Sequence, residues 1–371
     1  MSKPKEEIYF KQLDGIRFLA VALVLIDHWS AGTITNRLPL GPLGVTMFFV
    51  LSGFLITRIL IQSKITDDNT GRSHWFSIKQ FMIRRSLRIF PIYFLSIFLC
   101  YVLDVSPVRE KILWCITYST NIYIALNGKW LGTIDHLWSL AVEEQYYLVF
   151  PYLILFLPQR FYKKIFSIMV VGAILLRMFF FFSGSDWVVS YASTATCLDC
   201  FGIGGLIAYW FTFQNNTLSK LNNSKYLYLS FVFLCILVFS RILLLNGKHD
   251  FINVVLERIF MAVFAGLLII KTINGFGGFM KTFLENKTVI YLGRISYGIY
   301  LYHNFVYNHY HSTPSHPVVI LLDKIQLSYP TIGDNFCFRI VLLSSITIVL
   351  ATLSWYIIEK PINNLKKYFT Y

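Results

Sequence analysis

Arg17 and His28 stand eleven positions apart in the apolar run QLDGIRFLAVALVLIDHWS, residues 12–30, which is long enough to cross a bilayer. On an α-helix, eleven residues turn through about 1100°, three turns and about 20°, and rise about 16 Å. The two side chains therefore share one face. Asp14, three residues before Arg17, lies near that face. An arginine at the centre of a bilayer costs about 2.5–3.5 kcal/mol on insertion scales, so such a residue faces a bundle interior or a wet cavity. Histidine takes and gives a proton near neutral pH, which suits a general base acting on a hydroxyl. Asp27 adjoins His28, but consecutive helix residues do not face each other, and it is not the obvious orienting partner.

Three further groups of residues invite chemistry. Arg84, Arg85 and Arg88 crowd the segment FMIRRSLRIFPIYF, and Arg85 and Arg88 share a helix face at i, i+3. A guanidinium pair suits phosphate, through forked hydrogen bonds, although flanking arginines also simply mark the cytoplasmic end of a span. Glu143 and Glu144 interrupt the apolar run DHLWSLAVEEQYYLVFPY. Carboxylates in lipid must be paired or wet. One of these could hold His28 in a single tautomer or pair with an arginine, and since adjacent helix positions diverge by about 100°, only one reaches a given partner. Ser296, Tyr300 and His303 follow i, i+4, i+7 spacing and form a polar stripe with Tyr297. By contrast, His309, His311 and His316 lack the nearby acids of a metal set, and the pair Cys197/Cys200 lies in an apolar run with no second pair; no metal is expected.

The elements that must position these residues are transmembrane helices. Of 371 residues, 56% are hydrophobic and 14% charged, against about 25% charged in soluble domains. The pattern predicts an all-α polytopic membrane protein of about ten spans around a polar cavity: 12–32, 42–62, 88–106, 138–157, 164–182, 191–212, 226–245, 252–270, 289–309 and 336–358. Residues 1–371 read as one domain, with a lead at 1–11 and a basic tail at 361–371. Residues 63–87 read as a charged loop, and 107–137 as an aromatic interfacial or re-entrant segment. Gly44, Ser52 and Gly53 predict a close helix approach. GIGG at 202–205 and GFGG at 275–278 read as packing or turns, since neither has the strand–turn–helix setting of a nucleotide loop.

The formal net charge of +14 does not signal nucleic acid. Among the 33 Lys and Arg residues, Arg37, Arg109, Lys111, Lys129, Lys248 and Lys324 fall on one side of the predicted membrane, and Arg17, Arg177, Arg241, Arg258 and Arg339 fall within spans. The rest lie on the side of the termini, which positive-inside bias assigns to the cytoplasm.

Taken together, the motifs resemble the membrane-bound acyltransferase-3 family, typified by bacterial O-antigen and other polysaccharide O-acetyltransferases. LDGIRFLAVALVLIDH is similar to its opening helix, FFVLSGFLI to its second span, and RRSLRIFPIYF to its arginine-X-X-arginine segment. HLWSLAVEEQYYLVFP carries the tryptophan-serine-leucine and double-glutamate signature, including Trp138 and Ser139, while ISYGIYLYH and WYIIEKP match the last two spans. Tyr146 stands where phenylalanine is common, and Tyr302 where tryptophan is common.

The resemblance implies an acyl-CoA-dependent O-acyltransferase in a bacterial inner or plasma membrane. It would move an acyl group, usually acetyl, from cytoplasmic acetyl-CoA or another acyl-CoA to a hydroxyl of a glycan or lipid-linked glycan, such as a surface polysaccharide or lipopolysaccharide of the cell envelope. It implies transfer roles for Arg17 and His28, donor handling by Arg85 and Arg88, with Arg84 beside them, and a place in the site for Glu143 and Glu144. Asp14, Trp138, Ser139, Ser296, Tyr300 and His303 are the candidates for substrate contact. Some relatives carry a fused extracellular hydrolase-like domain. The chain ends at Tyr371 without one, so the expectation is acceptor binding in the membrane domain or hand-over to a separate acyl-accepting partner protein. The aromatic residues Trp114, Tyr118, Tyr123 and Trp130 suit either sugar stacking or an interface belt. The rival class is a proton-coupled transporter or binding protein, since intramembrane Arg, His and Glu also mark carriers; no inverted repeat supports it.

Overall fold

In the computed structural model, the described residues are 9–30, 38–244, 250–333 and 335–370. Residues 1–8 of the expected lead, Arg37, Lys248 and Tyr371 lie outside them, as does the side chain of Arg241. The helices that matter for the site are α1 (Lys11–Trp29), α2 (Leu40–Thr70), α3 (His74–Val102), α4 (Leu137–Phe156), α5 (Tyr162–Phe182), α6 (Leu198–Phe213), α7 (Ser224–Leu244), α8 (Glu257–Asn274), α9 (Lys287–Arg294), α10 (Ser296–Val306) and α11 (Phe336–Ser354). The described residues contain no strand.

The architecture is the expected all-α polytopic membrane protein. Six helices are long and apolar enough to cross a membrane, or up to seven if the pair Asn215–Leu221 and Ser224–Ser240, bent by 56°, forms one span. The expected number of ten is therefore not reproduced by length and apolarity alone. α1 carries Asp14, Arg17 and Asp27 within its apolar run, and the expected ninth span is broken at Ile295 into α9 and α10.

Two expected boundaries are corrected. Residues 63–87 are not a loop: α2 and α3 extend beyond their apolar portions and are joined by a turn at 71–73. Gly71 ends α2 with φ 67°, a left-handed value that suits glycine, and Ser73 caps α3 by accepting from the Trp75 amide. Solvated charge costs a helix nothing once it has left the apolar layer, so the chain stays helical. Likewise, the chain does not leave the helix at the expected span end of 358 but runs on through the helical segments Trp355–Glu359, Lys360–Asn363 and Asn364–Tyr368. Pro361 falls in the first turn of the helix Lys360–Asn363, where a missing N–H is tolerated.

α2 is the central helix, packed against α1, α4, α6 and α8. It meets α6 where Gly53 faces the Phe201 backbone and Gly204 faces the backbone at Val50 and Phe54, so a Cβ at either position would collide with main chain. α3, α5 and α11 are peripheral, and their exposed Phe98, Leu99, Phe179, Phe182, Val341 and Leu353 form an apolar exterior suited to lipid. On the other side of α1, Gly293 lets α9 touch the Asp14 backbone. That contact sets the start of α10, whose polar stripe then runs beside α1.

Between α5 and α6, Arg177 and Asp199 form a fully buried ion pair of 2.7 Å. Arg177 also donates to the carbonyls of Val255 (3.0 Å) and Thr196 (2.6 Å), so this charge is structural. Cys197 and Cys200 flank Asp199 as free, buried thiols.

Candidate functional site

Two cavities lie along α1. The first is lined by Arg17, Ser52, Arg85, Arg88, Glu143 and Glu144, together with Ser139, Ser296, Tyr297 and Tyr300, and holds about 100 Å³. Its charges are held from behind. Arg17 pairs with Asp14, which also accepts from Tyr9 and lies 3.6 Å from Arg294. Arg85 stacks over the Tyr147 ring at 5.2 Å. Ser52 donates to Glu143 at 2.8 Å and receives a bond from Tyr147 at 3.2 Å. Glu144 Oε1 is buried without a hydrogen-bond partner among the described residues. A cavity with three guanidinium groups and two carboxyls can hold an anionic ligand and balance charge that develops on it.

The second cavity is larger, about 630 Å³, and is lined by His28, Asp27, Asp135, His136, Glu257, Arg258 and His311 together with Trp130, Trp138, Trp187 and Tyr191. Aromatic faces beside a few polar groups are the ordinary makeup of a small-molecule site. Arg258 lies over the Tyr191 ring at 4.9 Å and donates to the Tyr191 carbonyl at 2.7 Å. Asp135 pairs with His311 and accepts from the Leu131 amide. Burial pushes the Asp135 carboxyl up from its ordinary value, and His311 opposes that shift.

His28 belongs to a cluster of three imidazoles. Its Nδ1 lies 2.8 Å from His303 Nε2, with the rings stacked at 4.9 Å. His303 Nδ1 meets the Tyr300 carbonyl, and His136 Nε2 lies 3.0 Å from the Leu301 carbonyl. The end of α1 is clamped from the segment after α10. The His309 amide donates to the His28 carbonyl at 2.9 Å, and Trp29 Nε1 donates to the Tyr307 carbonyl at 2.8 Å.

The cavities meet at Val45 and Tyr300, which line both. There Ser139 Oγ and Tyr300 Oη are 2.6 Å apart, and each lies within reach of the His136 carbonyl, at 3.1 and 3.2 Å.

The structure thus gathers Arg17, Arg85, Arg88, Glu143, Glu144, Ser139, Ser296 and Tyr300 around one cavity, and His28 and Trp138 around the other. Some expected contacts differ. Neither glutamate orients His28: Glu143 is engaged by Ser52, and His28 pairs with His303. Asp14 lines neither of these two cavities but backs Arg17. Arg84 turns from the first cavity toward the chain's end, donating to the Lys366 and Phe369 carbonyls at 3.2 and 3.0 Å. Of the four candidate stacking aromatics, Trp130 alone lines the second cavity, while Tyr118 is buried against Tyr93 at 4.2 Å. His309 and His316 do not converge with His311; His316 caps the helix Pro317–Ser328.

Sequence reasoning passed over Asp135, His136, Glu257 and Arg258 as site residues. Their one signal was ionisable residues at the edge of, or inside, apolar runs: DHLWSL and VVLERIF.

Comparison with known proteins places this sequence in a group. A family model described as an acyltransferase domain matches residues 10–359. The "Putative peptidoglycan O-acetyltransferase YrhL" of Bacillus subtilis is 28% identical, over 97% of this chain and 56% of its own length. The "O-acetyltransferase OatA" of Staphylococcus aureus is 28% identical, over 95% of this chain and 57% of its own. The chain thus spans a little over half the length of these relatives. No solved structure matches it.

Proposed function

The chain belongs to the membrane-bound acyltransferase-3 family, and from that premise we propose that it transfers an acetyl or related acyl group from acyl-CoA to a glycan hydroxyl. The observation that carries this reading is the pair of cavities meeting at Val45 and Tyr300, one lined by arginines and the other by His28. A group-transfer enzyme that takes its two substrates from opposite sides needs such an arrangement. Positive-inside bias supports a cytoplasmic side for the arginine cavity, where acyl-CoA is found. About 100 Å³ suits the acyl end of the donor's slender arm and not its nucleotide, so the CoA phosphates would remain at the mouth with Arg85 and Arg88. Arg17, held by Asp14, would lie further along the thioester path.

The acceptor hydroxyl enters from the histidine cavity. His28 takes its proton as general base, the hydroxyl oxygen bonds to the thioester carbon, and the carbon–sulfur bond breaks. The sulfur leaves with the electron pair, and a proton returns to it to give free CoA thiol. In the alternative route the same imidazole would act as nucleophile and carry the acyl group transiently. A relative named for peptidoglycan favours a cell-wall glycan over lipopolysaccharide as acceptor. Mass spectrometry of surface glycans from a deletion strain tests the assignment: one acyl mass should disappear from one sugar and return on complementation. An unchanged acylation profile would refute it.

A further inference from the structure

We propose that His303 is a positioning residue that fixes His28 as the Nδ1–H tautomer, leaving His28 Nε2 as the unprotonated base facing the acceptor cavity. This rests on the acyl-transfer reading for its purpose, but not for its chemistry.

The chain of inference starts at a backbone carbonyl. The Tyr300 carbonyl can only accept a hydrogen bond, so the His303 Nδ1 beside it carries the proton. A neutral imidazole with Nδ1 as donor has only an acceptor at Nε2. That acceptor lies 2.8 Å from His28 Nδ1, which must then be the donor. His28 in turn has its lone pair on Nε2. The ring is half-buried and lines the second cavity, and among the described residues its hydrogen bond is the one through Nδ1.

The neighbouring ring follows the same logic. His136 Nε2 meets the Leu301 carbonyl and is therefore the protonated nitrogen, while its Nδ1 has no partner among the described residues. Two successive carbonyls of α10, those of Tyr300 and Leu301, so set the tautomers of both rings around His28. α10 is itself held by the Gly293 contact with α1, which makes the registration of the two helices a condition for the catalytic tautomer.

The role resembles that of the carboxylate behind a catalytic histidine, which holds the ring in its working tautomer and orientation. A neutral imidazole does this without adding a buried negative charge. It also accounts for the glutamates' position elsewhere: Glu143 and Glu144 remain with the arginines of the donor cavity.

The test reads tautomers directly. Full-length protein labelled with ¹⁵N-histidine is placed in lipid nanodiscs, and His28→Gln assigns the His28 signals by their loss. The wild type should show His28 protonated at Nδ1 with an imine-type Nε2. His303→Phe should release His28 to a mixture or to Nε2–H and lower kcat about 100-fold or more, with KM for the acceptor little changed. His303→Gln, which keeps a side-chain acceptor near the Nε2 position, should restore the tautomer and part of the rate. Wild-type His28 protonated at Nε2, or an unchanged tautomer and rate in His303→Phe, would overturn the proposal. If His303→Phe fails to fold, the wild-type spectrum and His303→Gln still decide. The tautomer is observed without turnover, so this inference can fail while acyl transfer stands.

Discussion

Ser139 Oγ and Tyr300 Oη form a 2.6 Å hydrogen bond where the arginine and histidine cavities meet. Tyr300 lines both spaces together with Val45, so on the proposed function it would separate donor from acceptor. Removing it in Tyr300→Ala joins the cavities and admits water to the thioester. Free CoA thiol released without acceptor should then rise several-fold over wild type while glycan acylation falls. Tyr300→Phe keeps the ring and should keep acceptor-independent release close to wild type. A thiol assay with and without acceptor reads both variants.

The three clustered arginines should separate. Arg85 and Arg88 line the arginine cavity, so on the proposed function Arg85→Ala and Arg88→Ala should each weaken binding of a non-hydrolysable acyl-CoA analogue by about 10- to 100-fold, the range of a lost charge-assisted bond. Arg84 donates to the Lys366 and Phe369 carbonyls instead, and Arg84→Ala should leave donor affinity near wild type while loosening the tail. Calorimetry on the three variants, with protease sensitivity of residues 360–370, checks the division.

The Arg177–Asp199 pair is a stability element. Asp199→Ala leaves a guanidinium buried without its counter-charge, at a cost of about 3–5 kcal/mol. The melting temperature in detergent should fall clearly, whereas replacing both residues with apolar ones of similar size should recover much of the loss.

Asp135 should titrate above the ordinary aspartate value of about 3.9. Burial dominates, and the pairing with His311 pulls the other way. His311→Ala should therefore move the midpoint higher still, as followed by the protonated-carboxyl infrared band, with Asp135→Asn as control. The sign for stability follows from the raised value: the folded state holds this proton more tightly than the unfolded chain. The group's contribution is thus complete below about 3.9 and is lost as pH rises through the folded midpoint.

Much of this was legible in the chain itself. Eleven-residue spacing put Arg17 and His28 along one helix, and α1 carries them to two different cavities. The i, i+4, i+7 stripe of Ser296, Tyr300 and His303 does run beside α1. Periodicity registers faces within a helix, however, and not partners between helices. The match of His28 with His303, separated by 275 positions, depends on where Gly293 lets α9 meet Asp14. Hydropathy also ends a span where charge begins, although the hydrogen-bonded helix does not end there. Residues 63–87 were therefore misread as a loop, and Arg84 was grouped with arginines from which it turns away. Asp135 and His136 carry no periodic signal because they lie in the short connection just before α4, which has no period of its own.

The most direct measurement is acyl transfer by purified protein in proteoliposomes, with labelled acetyl-CoA supplied on one side and a cell-wall glycan fragment on the other, comparing wild type with His28→Ala. The proposed mechanism predicts labelled ester on the wild-type glycan, background label with His28→Ala, and unchanged donor binding in both. Wild-type levels of glycan acetylation by His28→Ala would contradict it.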